Sequence, residues 1–318
     1  MPTTVLLTES YHPLLLDTLS TWSEIQLYTL PTPTHPAITA VLPEIELWIL
    51  RGAIPIDESL LSHAPKLRLI LRAGSGTEHI DKEALARRGI ALRSTPQANA
   101  APVAEYVAAA ILSLCRGFLP AHHALREQNT WQRKTFIGRE LPALKVGLIG
   151  FGENGSRTAR LLVAIGATVL AYDKYKSGFG GNGIHEVPLE TLYEEADVVS
   201  LHIPLTPETR GWVDESFFKR FSRPIALINA ARGGIVSLPA LAQALSAGKV
   251  WGAAIDTLPE EPPAKLSSAD QEAWAYLRQH PAVLLTPHIA GVSQESELRL
   301  AQAVLGTLRT FLDGSSYP

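Results

Sequence analysis

Over the first 95 positions apolar residues come in short runs, Val5–Leu7, Ile25–Tyr28, Leu47–Leu50, Leu67–Leu71 and Ile90–Leu92, separated by segments carrying Pro, Ser and Asp. Runs this short, bounded by such breakers, predict buried strands with helices between them, a first and smaller α/β layer. From Asn99 the pattern changes to NAAPVAEYVAAAILSLCR, a helix apolar on so many faces that something else must cover it, a second subunit being one candidate. A polar helix over Pro120–Thr130 and an arm without periodicity, WQRKTFIGREL, lead to Lys145. Beyond the loop SGFGGNG, alternation resumes with strands Val198–Leu201, Ile225–Asn229, Gly252–Ile255 and Val283–Leu285, a helix Leu238–Ala247 and a closing helix Gln294–Leu312. This order predicts a parallel, doubly wound sheet.

The stretch Lys145–Asp173, KVGLIGFGENGSRTARLLVAIGATVLAYD, is more specific. An apolar run ends in Gly150, Gly152 and Gly155 with GxGxxG spacing, a helical pattern follows to Gly166, a second strand covers Thr168–Tyr172, and Asp173 stands after it. Gly150 permits the tight turn, Gly152 lets the backbone approach a pyrophosphate, and Gly155 allows close packing of helix on strand. The helix amino terminus offers N–H groups and positive dipole to the anion. An acid at Asp173 accepts from ribose hydroxyls and repels a 2′-phosphate, so NAD is the expected cofactor. Glu153 and Asn154 lie inside this loop; a carboxylate there repels phosphate unless it points to solvent or Arg157 offsets it.

With 318 residues, 46% hydrophobic, and a net charge of −3, the chain is long enough for two domains and has no basic excess for nucleic acid. The first fifty residues contain no Lys or Arg, so secretory and mitochondrial leaders lack their charge. No apolar run approaches the roughly 20 residues of a membrane span. The one cysteine, Cys115, sits in an apolar helical pattern and reads as a buried thiol. A soluble cytoplasmic protein is expected, with neither nucleic acid nor membrane as partner.

In open parallel sheets ligands sit beyond the carboxyl ends of the strands. In the first layer that edge carries Arg51 and, at the end of KLRLILR, Arg72 followed by Gly74, Ser75 and Gly76, a turn whose N–H groups could hold a carboxylate. The alternative is an ordinary glycine turn with surface arginines. In the second layer the edge carries His202, Arg232, Glu261 and His288. Arg232 offers a rigid fork of donors, His288 a proton shuttle with a reference pKa of ~6.5, and Glu261 a carboxylate to raise it. That set suits hydride transfer at a 2-hydroxy acid, with His288 as acid in reduction and base in oxidation. The chain has no HExxH and no Cys pair, so no metal is expected.

RAGSGTEHID, STPQANAAPVAEY, GLIGFGENG, LHIPLTPETRG, INAARGGIV, AIDTLPEEPP and TPHIAG together resemble the D-isomer-specific 2-hydroxyacid dehydrogenases over nearly the whole chain. The resemblance implies a Rossmann NAD-binding domain, 99–288, inserted into a smaller flavodoxin-like substrate domain, 1–98 and 289–318. It implies Arg232, Glu261 and His288 as the catalytic three, and Ser75 and Gly76 for the substrate carboxylate; Arg51 and Arg72, at the strand ends beside that turn, are the further substrate contacts expected from their positions. Cofactor contacts fall on Gly150, Gly152, Glu153, Asn154, Gly155, Asp173, His202, Pro204, Thr209, Ala230, Arg232, Asp256 and His288. A homodimer through the NAD-binding domain is implied too. The expected substrate is a small D-2-hydroxy acid or its 2-keto acid, 3-phosphoglycerate first because of Arg51 and Arg72, with hydroxypyruvate or glyoxylate as the alternative. Some members of the family sense NAD(H) as corepressors, which is the competing class of function. The family usually places Arg and then an apolar residue where this chain has Glu153 and Asn154.

Overall fold

A computed structural model describes residues 2–52 and 54–314, and the chain separates into two compact units, Met1–Asn99 with Val292–Pro318, and Ala100–Gly291. The first unit contains five strands: β1 (Thr3–Thr8), β2 (Ile25–Leu30), β3 (Leu47–Leu50), β4 (Leu69–Arg72) and β5 (Ala91–Ser94). They form one parallel sheet in the order β2-β1-β3-β4-β5, the flavodoxin-like winding whose switch point lies between β1 and β3. Because side chains alternate across a strand, Leu6, Trp48 and Leu50 pack on one face, and Val5, Leu7, Leu47 and Ile49 on the other. The helix Gln294–Leu312 belongs to that second face, through Leu300, Ala301, Val304 and Leu308. Ser293 caps it, its side chain accepting from Ser296 N while the Ser296 hydroxyl accepts from Ser293 N.

Seven strands make the second unit: β6 (Lys145–Ile149), β7 (Thr168–Tyr172), β8 (Ile184–Glu186), β9 (Val198–Leu201), β10 (Ile225–Asn229), β11 (Val250–Ile255) and β12 (Val283–Leu285). All are parallel, in the order β12-β11-β10-β9-β6-β7-β8, the dinucleotide-fold winding with one strand added at an edge. Strand β8 follows the expected glycine-rich loop, residues 177–183, and is one that the apolar pattern does not predict. Its order comes from Glu186, whose carboxylate accepts from Gly178, Phe179 and Gly180, and from Phe179 stacked on Phe151 with ring centroids 4.1 Å apart.

The alanine-rich helix runs from Ala100 to Cys115 and is covered within its own unit, by the helix Glu153–Ala164 and strands β10, β11 and β12. Small side chains permit that close approach, so no second subunit is required to bury these faces. With the preceding turn, the segment Pro96–Cys115 makes 20 helical residues apolar enough to cross a membrane by length and composition alone. That corrects the expectation from unbroken apolar runs, which overlooks a segment interrupted by single polar residues. Over half of it is buried inside the structure, as expected for a core helix.

Candidate active site

The carboxyl ends of six strands in the second unit stand level. Ile149 pairs with Tyr172 and Leu201, Asn229 with Leu201 and Ile255, and Ile255 with Leu285. The residues just past each strand are therefore presented along one edge: Gly150, Asp173, His202, Arg232, Asp256 with Glu261, and His288.

At the switch point between β6 and β9, a Cβ on Gly150 would meet the His202 carbonyl oxygen at 2.5 Å, and one on Gly155 would meet the Gly150 oxygen at 2.1 Å. Gly150 also adopts φ 101°, a left-handed backbone that side chains disfavour. Gly152 has no atom within 4 Å of where its Cβ would stand, and the helix it opens has no side-chain cap. Open space before an uncapped helix amino terminus is what a pyrophosphate needs. Nearby, the Asn154 side-chain oxygen is buried without a partner, an unmet polar group inside the same loop. Glu153 is exposed at the first helical position, where its charge complements the dipole, and it forms no ion pair with Arg157 among the described residues. These features fit a dinucleotide.

Asp173 shapes the far side of the loop. Its carboxylate accepts from Phe151 N (2.7 Å), Tyr175 N (2.9 Å) and Lys176 N (3.0 Å), which leaves acceptor capacity for a ribose hydroxyl. Asp173→Asn, which keeps an acceptor oxygen but loses the charge, is expected to raise KM for NADH by about tenfold and to narrow the preference over NADPH. Initial rates with both cofactors check this; an unchanged KM ratio would pass the selectivity to Lys176, whose Nζ donates to Phe151 O.

His202 is half-buried beside Ser200, Nε2 to Oγ 3.0 Å, and desolvation of its ring holds its pKa down to about 4, so it is neutral at pH 7. Pro204 and Thr209 come next, in a turn closed by the Thr209 hydroxyl, which donates to Pro204 O (2.7 Å). Beyond β10, Ala230 and Ala231 lead into Arg232, with Asn229 bracing the turn: Nδ2 donates to Arg232 O and Oδ1 accepts from Ala231 N. Arg232 donates Nη1–H to Ala231 O (2.7 Å). A Cβ on Gly233 would lie 1.9 Å from the Leu258 carbonyl carbon, so the Arg232 turn rests directly on the backbone that leads to Glu261.

His288 Nδ1 stands 2.8 Å from Glu261 Oε2. The hydrogen bond to Glu261 raises the histidine pKa above its usual value against the pull of burial, with Asp256 adding to the rise and Arg232 opposing it. For Glu261, burial pushes the pKa up, but the bonds from His288 and Leu258 N outweigh it and the net shift is downward. His288 adopts φ 57°, uncommon for a residue with a side chain, and Asp256 holds it there. The Asp256 carbonyl accepts from His288 N (2.8 Å), and its carboxylate from Ile289 N, Ala290 N and the Thr286 hydroxyl. Thr286 in turn meets the Tyr106 hydroxyl at 2.7 Å, and burial lifts that phenol to about 12. Neither Tyr106 nor Thr286 is among the site residues expected from the sequence, although they lie in the motifs STPQANAAPVAEY and TPHIAG. Asp256, Leu258, Glu261, Trp274, Thr286 and His288 are among the residues lining a cavity of about 730 Å³.

In the first unit Leu50 pairs in register with Arg72, which places Arg51 and the Arg72 turn at neighbouring strand ends. Arg72 donates Nε–H to Gly76 O (2.9 Å) and Nη1–H to Ala73 O (2.6 Å), so much of its fork shapes its own turn. The Ser75 and Gly76 N–H groups have no acceptor among the described residues. Arg51 forms a two-pronged pair with Glu297.

Residues 108–290 match the family described as D-isomer specific 2-hydroxyacid dehydrogenase, NAD binding domain. The D-3-phosphoglycerate dehydrogenase of Mycobacterium bovis is 32% identical over 297 residues, 93% of this chain and 54% of that protein. The chain thus spans about half the length of the curated relatives it matches. A crystal structure of D-lactate dehydrogenase from Aquifex aeolicus, complexed with NAD and lactic acid, superposes with a TM-score of 0.85 at 29% identity, covering 98% of this chain and 96% of that one. A glyoxylate reductase from Paecilomyes thermophila superposes at 0.87 with 23% identity, covering 100% and 98%, a likeness of fold alone. With the family match spanning more than half its residues, the chain belongs to the D-isomer-specific 2-hydroxyacid dehydrogenase family.

Proposed function

We propose that the protein interconverts a small D-2-hydroxy acid and its 2-keto acid with NAD. The observation that carries this reading is the His288–Glu261 pair standing with Arg232 on the sheet edge that also bears the open glycine loop. When bound, the nicotinamide supplies or accepts the hydride at C2. Glu261 occupies Nδ1 of His288, so Nε2 is the atom that gives a proton to the carbonyl oxygen in reduction and takes it from the hydroxyl in oxidation. Arg232 holds the carboxylate and the carbonyl oxygen with its planar fork of donors. In this reading the second unit binds NAD through Gly150, Gly152, Asn154, Gly155 and Asp173, and the first binds substrate, with the Ser75 and Gly76 N–H groups taking a carboxylate.

For the substrate, the D-3-phosphoglycerate dehydrogenases among the relatives favour 3-phosphoglycerate. Hydroxypyruvate or glyoxylate is the second reading, favoured by the commitment of Arg51 to Glu297 and of Arg72 to its own turn. A homodimer through the second unit is supported by Phe118, Trp131 and Ile137, large apolar side chains left exposed. The testing experiment is NADH oxidation with a panel of 2-keto acids that includes 3-phosphohydroxypyruvate. Tight NADH binding with no turnover of any of them would instead mark an NAD(H)-sensing binding protein.

The pH dependence arises from the pair. Reduction needs protonated His288, so its rate is full below the raised histidine pKa and falls as pH rises through it; oxidation does the reverse. Stability contributed by the pair is lost as pH rises through that same value, and also as pH falls through the lowered pKa of Glu261. Glu261→Gln removes the charge that sustains the imidazolium. The alkaline limb of kcat/KM for reduction is expected to move down by about one pH unit, read from a pH–rate profile; an unmoved limb would mean that Glu261 does not tune His288.

A further inference from the structure

In the second unit β7 and β9 flank β6, and the last residues of the three strands stand level, Ile149 pairing with Tyr172 on one side and Leu201 on the other. The segments that follow β7 and β9 are therefore two walls of the crevice that opens over the glycine turn. One wall begins at Asp173. Its carboxylate fixes Phe151 N, Tyr175 N and Lys176 N, and Lys176 Nζ donates to Phe151 O at 3.1 Å. Lys174 and Tyr175 thus follow directly on the acid expected to meet the adenosine ribose. The other wall is the turn after β9. There Thr206 N donates to Thr209 Oγ1 (2.8 Å), the Thr209 hydroxyl to Pro204 O (2.7 Å) and Arg210 N to Thr206 O (3.0 Å), so Glu208 stands on a turn held from both sides.

Glu208 reaches from the second wall to the first. Its Oε1 accepts from Lys174 Nζ and its Oε2 from the Tyr175 hydroxyl (2.9 Å), 34 and 33 positions earlier in the chain. Lys174 Nζ also lies 5.5 Å from the centroid of the Tyr175 ring. The Lys174–Glu208 bond raises the lysine pKa and lowers that of the glutamate, so both are charged at neutral pH. All three side chains are exposed and form an outer rim, Tyr175 the most so at 80%. Contacts of this kind are weak one by one, and they break and re-form readily. Placed across the mouth of a crevice, that weakness suits a gate.

We propose that Lys174, Tyr175 and Glu208 form a gate across the adenosine end of the cofactor crevice, closed whether or not NAD(H) lies beneath it, so that the dinucleotide passes only while Glu208 has let go. This rests on the reading that the second unit binds NAD through its glycine loop and Asp173. A gate closed in both states slows association and dissociation by the same factor and leaves affinity unchanged. A direct contact to bound adenosine acts otherwise, since its removal speeds dissociation alone. Electrostatic steering differs again: loss of Glu208 would speed association of an anionic dinucleotide, and loss of Lys174 would slow it.

Stopped-flow fluorescence of the full chain with NADH reads both rate constants without hydride chemistry, association from the concentration dependence and dissociation from a chase with excess NAD. Lys174→Met, Tyr175→Phe and Glu208→Gln are each expected to raise both rate constants about three- to fivefold, with the dissociation constant within about twofold of wild type. Lys174→Met decides most, because it removes a positive charge that would draw the dinucleotide in and is still expected to speed association. Glu208→Gln combined with Lys174→Met is expected to be no faster than Glu208→Gln alone, since the same tie is already cut. Rate constants unchanged in all three variants overturn the gate. A dissociation constant that rises in step with the dissociation rate, at constant association, overturns it in favour of a contact to bound adenosine. Slower association in Lys174→Met with faster association in Glu208→Gln overturns it in favour of steering. If the wild type binds no NADH, the reading of the glycine loop falls and the gate with it; binding with unaltered rates removes the gate alone.

Discussion

His288→Ala is expected to lower kcat for keto-acid reduction by roughly 10²-fold or more while the NADH dissociation constant stays within about twofold, because proton transfer is lost and the glycine loop is untouched. The backbone at this position complicates the alanine variant. His288 sits at φ 57°, where alanine is strained, and its N–H bonds to Asp256, anchoring the segment after it. His288→Asn is therefore the cleaner companion: asparagine tolerates the left-handed region and cannot serve as the acid. Both variants should show the same loss of kcat, and both should lose the alkaline limb of the pH profile. Single-turnover rates with bound NADH, alongside fluorescence titration of NADH, make the measurement. Losses of binding as large as the losses of rate would show that His288 holds the site together and does not act as the proton donor.

The second large effect is expected from Arg232→Lys, with kcat/KM for reduction falling on the order of 10²-fold although the charge is retained. A planar fork can hold a carboxylate and a carbonyl oxygen at once, and an ammonium cannot reproduce that geometry. Nor can lysine meet the Ala231 carbonyl from the same direction, a bond that Arg232 makes at 2.7 Å. The turn itself should survive, because Asn229 braces it through the backbone and Gly233 keeps it against Leu258. Circular dichroism and NADH binding close to wild type, with the loss confined to kcat/KM, are the expected signature. A variant retaining most of the wild-type kcat/KM would make Arg232 a structural residue of its turn.

Much of this was legible in the chain because its causes are local. Gly150, Gly152 and Gly155 are demanded by a turn and a close approach within a few residues, and the apolar runs that became β1, β3, β6, β9 and β10 announce themselves by period and breakers. Arg232, Glu261 and His288 stood out because parallel strands present all their carboxyl ends on one side, so polar residues placed just after different strands share an edge. The weak points were also local in origin: Ile184–Glu186 is too short to stand out from the glycines before it, and it is a strand because β7 lies beside it.

Tertiary structure decided the rest, wherever a partner lies far along the chain. Strand register sets Glu261 against His288 at 2.8 Å, and no spacing in the sequence fixes that distance. The φ of 57° at His288 exists because Asp256, some thirty positions earlier, collects the N–H groups of His288, Ile289 and Ala290, with Tyr106 behind it through Thr286. The alanine-rich helix announced that it needed cover, but only packing shows that its own unit provides it, because small side chains fit many surfaces equally well. Arg51 illustrates the limit most plainly. Its type and position raise the expectation of a substrate contact, whereas in the structure its charge is answered by Glu297, 246 residues away, because the closing helix returns to the first unit. A sequence lists the charges; the crossing of the chain determines which of them meet, and partial desolvation makes each such meeting count for more than it would in bulk water.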